Sequence, residues 1–352
     1  MMTVSELVAN IAPADTSFAQ KACARWNAIA KPLGSLGMLE DAVCRLSAVQ
    51  RTETPRIQKR ALSVFCADNG IVSEGVTQTD GSVTAVVAKN LCTGDTSVCK
   101  MARVARCAVF PVDMGMQTAV QHEKMTDLHV ARSTKNFLQE DAMTREQAET
   151  ALVRGADFAK RLVADGYDLL ATGEMGIGNT TTSSALASVL LGLPVADVTG
   201  AGAGLSADGV AHKIRVIENG IARRMPNPHD PLDVLSKLGG FDIAGIAGFM
   251  LGAAAEKTAV VVDGVISQVA ALLAVRLCPL VRDYLFASHV GSEKASCRLL
   301  DALGLDAPVS AGMHLGEGSG CMTLLPLLDM ALCVYGDMAT FDDIKIEAYR
   351  PL

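Results

Sequence analysis

Five short β-prone apolar runs, each closed by a polar or glycine-bearing turn and separated by helical patterns, constrain this chain more than any other feature. They are Ala61–Cys66 before Asp68-Asn69-Gly70, Cys107–Val112 before Asp113-Met114-Gly115, Leu169–Ala171 before Gly173-Glu174, Ala259–Val262 before Asp263-Gly264, and Tyr284–Phe286 before Ser288-His289. Apolar strands alternating with helices predict an α/β protein, a parallel sheet covered on both faces by helices. Thr144 to Ala164 reads as one such helix, with Thr144 and Gln147 at capping-box spacing. Ligands bind such sheets beyond the carboxyl ends of the strands, so the site is expected in the sequence-distant turns just named. Alternation alone also admits a closed barrel, although the strand spacing is irregular. Residues 1–55 read as helical, with Ser17 to Ile29 and Gly37 to Val49 interrupted at Lys31-Pro32-Leu33-Gly34-Ser35.

Composition narrows the class. Half of the 352 residues are hydrophobic and only 4% aromatic, so the core is built of small and aliphatic side chains. Mean hydropathy is +0.29, but the longest run free even of weakly polar residues, Ile243 to Ala255, is shorter than the roughly 20 residues a membrane span needs. No basic stretch leading into an apolar one marks the N-terminus, and a soluble cytoplasmic protein is expected. A net charge of −7 without a long basic run argues against nucleic acid as a partner. Ten cysteines with no C-x-x-C pair read as reduced, mostly buried side chains. Six histidines in no ligand spacing give no support for a metal site, and no G-x-S-x-G elbow supports a serine hydrolase.

Gly173 to Ser184 carries the most chemistry. It follows a predicted strand and opens a helix whose free N–H groups suit an anion, while Asn179 and Thr180 offer further donors. It is neither a Walker A loop nor a G-x-G-x-x-G turn, and a capped glycine turn fits the spacing equally well. Thr199 to Gly204 precedes a helix with Lys213, a second loop able to cradle phosphate around Gly202. In His314-Leu315-Gly316-Glu317-Gly318-Ser319-Gly320 a carboxylate is framed by glycines, which suits a base in a tight loop as well as an exposed turn residue. Gly239-Gly240-Phe241-Asp242 opens a very apolar helix and reads as tight packing; His289 and His314 read as structural.

These segments, with Lys31-Pro32-Leu33-Gly34-Ser35-Leu36-Gly37-Met38-Leu39-Glu40, Cys66 to Gly70, Asn227-Pro228-His229-Asp230 and Asp263-Gly264, occur in one order along residues 5–350. In that order they resemble the nicotinate-nucleotide:dimethylbenzimidazole phosphoribosyltransferase family of cobamide assembly. The resemblance implies a Rossmann-like three-layer α/β/α core over residues 59–320. A smaller helical part would come from residues 1–58 and 321–352. It implies a homodimer with no cofactor or metal, whose partners are two small molecules, nicotinate mononucleotide and an aromatic base. By the same resemblance Glu317 is the general base and Glu174 supports it. Gly176, Asn179, Thr180, Gly202, Lys213 and Ser292 meet the nucleotide and its phosphate, and Thr79, Val87, Met175 and Leu315 form the acceptor pocket. The chain departs from the family pattern at Asn69, Thr79-Asp80, Val87, Gly291 and His314. Val87 in place of a Gln removes one hydrogen bond to the base. The resemblance implies transfer of 5-phosphoribose from nicotinate mononucleotide to 5,6-dimethylbenzimidazole, giving α-ribazole 5′-phosphate and nicotinate; the rivals are the same transfer onto a phenolic or other benzimidazole or purine acceptor, and a catalytically silent nucleotide-binding subunit.

Overall fold

The computed structural model describes residues 3–349. Six strands, β1 (Arg60–Ala67), β2 (Cys107–Gly115), β3 (Thr126–Asp127), β4 (Leu169–Met175), β5 (Ala259–Val262) and β6 (Leu285–Ala287), form a single sheet. Their spatial order is β3-β2-β1-β4-β5-β6, every neighbouring pair is parallel, and the sheet is open, which removes the barrel alternative. The chain runs outward from β1 to β3 and then returns to the other side of β1 with β4. The crevice where the order reverses is the place such sheets bind ligands. The two-residue edge strand β3 has no apolar run behind it, and the sequence reading does not anticipate it.

The helices are α1 (Val4–Ala9), α2 (Thr16–Ala28), α3 (Met38–Gln50), α4 (Ser82–Thr93), α5 (Ser97–Val104), α6 (Arg145–Ala164), α7 (Asn179–Leu191), α8 (Val195–Val198), α9 (Ala207–Arg224), α10 (Pro231–Leu238), α11 (Phe241–Ala255), α12 (Val265–Leu277), α13 (Ala295–Leu303) and α14 (Ser319–Asp337). All eight residues of β1 are buried, because helices cover both faces. On one face α11 lies so close that a Cβ on Gly245 would stand 2.9 Å from both Phe65 and Met114. Behind it, Gly248 and Gly252 of α11 rest on the backbone carbonyls of Leu152 and Ala156 in α6. Phe65, Phe158 and Phe249 fill the space between with edge-on or tilted contacts. Leu62 faces the opposite way from Phe65 and packs on Gly318, where α14 starts. One turn on, the Cys321 thiol sits 3.4 Å from the carbonyl oxygens of Thr172 and Val261.

α14 belongs to two cores. Its first half lies in the main one, whereas Ala331 and Tyr335 join Ala22, Trp26, Ile29 and Val43 in a small separate cluster. There the Lys31 ammonium meets Glu40 at 2.5 Å, both nearly buried, and lies 5.1 Å from the centre of the Trp26 ring. Glu40 also accepts from the Leu36 amide at 2.9 Å, so the Lys31–Glu40 motif buckles a loop. Asn227 to Asp230 is likewise a helix start: Asp230 caps α10 and pairs with Arg145. The capping box expected at Thr144 and Gln147 is present. α14 is the one helix among the described residues long and apolar enough to cross a bilayer, a property that uninterrupted apolar runs do not reveal; half of it is buried in the fold. All ten cysteines are free thiols, six of them buried.

Gly248→Ala tests the α6–α11 contact. A methyl group there runs into the Leu152 carbonyl, and the expected loss is about 1–3 kcal/mol, read as a lower urea midpoint at unchanged slope.

Candidate active site

The ends of β1 and β4 build one wall. β4 delivers Glu174, and the chain then turns through Gly176 and Gly178, the latter at φ +92°, into α7. Gly176 is pressed under the Ala67 carbonyl at the end of β1. Asn69 ties the two ends together: its side-chain amide donates to the Ile177 carbonyl at 3.4 Å, and its oxygen accepts from Thr182 at 3.1 Å. The Ile177 amide donates to Thr84 Oγ1 at 3.2 Å. At the first position of α7, Asn179 Nδ2 donates both to Glu174 and, at 3.0 Å, to Asp242 in the first turn of α11.

Lys213 closes the cationic end of the site. It rises from α9 and is 1% exposed, and its ammonium donates to Thr180 Oγ1 at 2.8 Å. Burial pulls its pKa down to about 8. An ammonium carries three donors, and the Gly202 backbone at φ +55° approaches the same Nζ and Thr180 hydroxyl. A buried cation beside glycine amides and a helix N-terminus is the chemistry of a phosphate cradle.

Glu317 sits across the cleft in three consecutive left-handed residues, Gly316, Glu317 (φ +59°) and Gly318. Burial raises its carboxyl pKa, the Val98 amide and the Thr96 hydroxyl pull the other way, and Asp263 raises it further. Its Oε2 is buried and has no hydrogen-bond partner. Glu174 reaches the same loop, because its Oε1 occupies the space a Gly316 side chain would take. Burial drives Glu174 up to about 8, with Asn179 opposing and the charges of Asp242, Asp263 and Glu317 adding to the rise. Asp242 is raised to about 6, also chiefly by burial.

The cavity between these walls measures ≈ 790 Å³. Thr79, Glu174, Met175, Gly176, Asn179, Thr180, Gly202, Lys213, Ser292, Leu315 and Glu317 all line it. Val87 does not: it is half-buried on α4, outside the wall. His289 and His314 also line the cavity, the first buried and the second exposed. Asp263 in the wall, and Asp242 and Asn69 behind it, fall in segments singled out from the sequence but were given no role in the site there. The signal for Asp242 was present, since it is the sole charged residue in α11. Among the described residues no group of three or more His, Cys, Asp or Glu side chains is placed to hold a metal ion.

A parallel α/β sheet whose strand-end loops bring a buried lysine and a partly buried glutamate to one cavity is the architecture of a group-transfer enzyme. Residues 11–346 match the family model described as phosphoribosyltransferase, DBI_PRT. The chain is 40% identical over 351 residues to nicotinate-nucleotide–dimethylbenzimidazole phosphoribosyltransferase of Ruminiclostridium cellulolyticum and 41% identical to that of Clostridium acetobutylicum, covering 100% of each chain. The crystal structure of CobT from Thermus thermophilus superposes with a TM-score of 0.89 at 36% identity, over 94% of this chain and 99% of the other. The chain belongs to the nicotinate-nucleotide–dimethylbenzimidazole phosphoribosyltransferase family.

The raised Glu174 gives a pH-dependent stability. A carboxyl whose pKa goes from 4.5 to about 8 on folding binds more protons in the native state, so its contribution falls as pH rises through that window. Glu174→Gln should leave the melting temperature unchanged at pH 4 and raise it increasingly towards pH 8, a trend that melting curves across the range will check.

Proposed function

We propose that this chain transfers 5-phosphoribose from nicotinate mononucleotide to 5,6-dimethylbenzimidazole, giving α-ribazole 5′-phosphate and nicotinate for the lower ligand of a cobamide. The observation that carries this reading is the pairing, in one cavity, of the buried Lys213 cradle with the Glu317 carboxyl. The activity for which relatives matching the chain end to end are named supports it.

The mononucleotide phosphate occupies the cradle of Lys213, Thr180, Gly202 and the α7 amides, with Ser292 at its rim. The pyridinium is already a good leaving group: the C1′–N bond breaks with its electron pair returning to the ring, and neutral pyridine nitrogen departs. The acceptor nitrogen attacks C1′ from the opposite face, which inverts the anomeric centre. Glu317 takes the N–H proton of the benzimidazole. Holding both rings in line supplies a large part of the rate. Glu174 supports the same site from the neighbouring loop, and Thr79, Met175 and Leu315 contain the acceptor. With Val87 outside the cavity wall, the departure at that position bears less directly on acceptor choice than its sequence suggests. The same reading includes a homodimer working in the cytoplasm.

The test is nicotinate release and riboside-phosphate mass with the mononucleotide and a panel of acceptors. Dimethylbenzimidazole used best is the expected result. Release with phenols alone, or no release despite mononucleotide binding, overturns the reading. Glu317→Ala should lower kcat roughly 10²- to 10⁴-fold with the fold intact. Because the Glu317 pKa is raised, activity of the parent enzyme should fall on acidification. Lys213→Ala should instead raise KM for the mononucleotide about 10- to 100-fold.

A further inference from the structure

Glu317 is held in a left-handed backbone conformation by a residue from another strand end. Asp263, directly after β5, is 2% exposed. Its Oδ2 accepts from the Gly318 amide at 3.0 Å and its Oδ1 from the Gly320 amide at 2.8 Å. Those amides belong to the residue after Glu317 and to the second residue of α14, so Asp263 caps α14 from outside the helix. Gly318 at φ +90° offers no capping side chain of its own. Each carboxylate oxygen accepts an amide of the loop.

The clamp is backed by His289. Its ring and the Asp263 carboxyl converge on Gly320, where a Cβ would stand 2.7 Å from Asp263 Oδ1 and run into His289 Nδ1. The Ser288 hydroxyl donates to the Val262 carbonyl at 2.7 Å, and a carbonyl can only accept. The 2.9 Å contact between Ser288 Oγ and His289 Nδ1 is therefore donated by the ring, which fixes the hydrogen on Nδ1. Gly264 leaves the other side of this ring uncrowded, with its absent Cβ 3.8 Å from Nε2.

We propose that Asp263, braced by His289, is the positioning residue for the general base: it fixes the turn that presents Glu317 to the acceptor nitrogen. This rests on the phosphoribosyl-transfer reading above. An amide cannot reproduce the clamp, because its nitrogen is a donor facing another donor.

Asp263→Asn is therefore expected to lower kcat about 30-fold while KM for nicotinate mononucleotide stays within about 3-fold. In a Glu317→Ala background, where there is no base left to place, the same substitution should lower single-turnover nicotinate release less than about 3-fold. Equal losses in both backgrounds, or a rise in KM instead of a fall in kcat, overturn the proposal. Amide hydrogen exchange across residues 315–323 gives a readout independent of activity. It should accelerate in Asp263→Asn with the β-strand peptides unchanged, and unchanged exchange in that loop also overturns the proposal. If Asp263→Asn does not fold, Asp263→Glu keeps both acceptors but displaces them, and the same kcat-specific loss and loop exchange are expected. Absence of nicotinate release by the parent enzyme would sink the transfer reading, and the exchange experiment would still decide whether the clamp exists.

Discussion

Where β4 meets the turn before α14 there is no room for a side chain. A Cβ on Gly173 would lie 2.5 Å from the Glu317 carbonyl oxygen and 2.8 Å from the Gly318 amide nitrogen. The same backbone-on-backbone approach recurs at Gly176 under β1 and at Gly248 on α6. Parallel strands end on one side of the sheet, and only close approach lets the loops from β1, β4, β5 and the start of α14 converge within one cavity. The glycine-rich composition and the scarcity of aromatics express one requirement, that main chain be packed against main chain.

Convergence concentrates acid. Glu174, Asp242 and Asp263 are all buried around the loop bearing Glu317, and burial raises every one of their pKa values. The fold tolerates this because donors are supplied to them: Asn179 serves Glu174 and Asp242, and the amides of Gly318 and Gly320 serve Asp263. The positive counterpart is kept apart at the other end of the cavity, where Lys213 has Thr180 and not a carboxylate as its neighbour. A zwitterion-like substrate, with an anionic phosphate and a cationic ring, matches that separation of charge.

Much of the architecture was legible because buried parallel strands leave continuous apolar runs, and three of the five turns ending those runs, at Glu174, Asp263 and His289, reach the cavity. Glu174 and Glu317 stood out because each is set among glycines, whereas Lys213, in the middle of a helix, was drawn in by the glycine loop before that helix and by the order of the family motifs. Asp242 and Asp263 were given no role in the site, since their roles depend on partners 63 and 55 or more residues away, Asn179 for one and the Gly318 turn for the other. Val87 entered the acceptor list from its place in a motif alone, and the structure leaves it half-buried on α4, outside the cavity lining. The Lys31–Glu40 motif, strong as a sequence signal, describes a buried ion pair in the small core.

α14 runs from the turn carrying Glu317 to the cluster made by the chain's early helices. At 1.5 Å per residue its 19 residues span about 28 Å. A helix of that length, anchored at its far end by Tyr335 against Trp26 and interrupted at Pro326, is a lever with Glu317 at its tip. A one-degree tilt about the far anchor displaces that tip by about half an ångström, the scale on which in-line geometry is won or lost. The helical cluster formed near the chain ends therefore aims the chemistry from a distance, as the stock of an instrument aims its barrel.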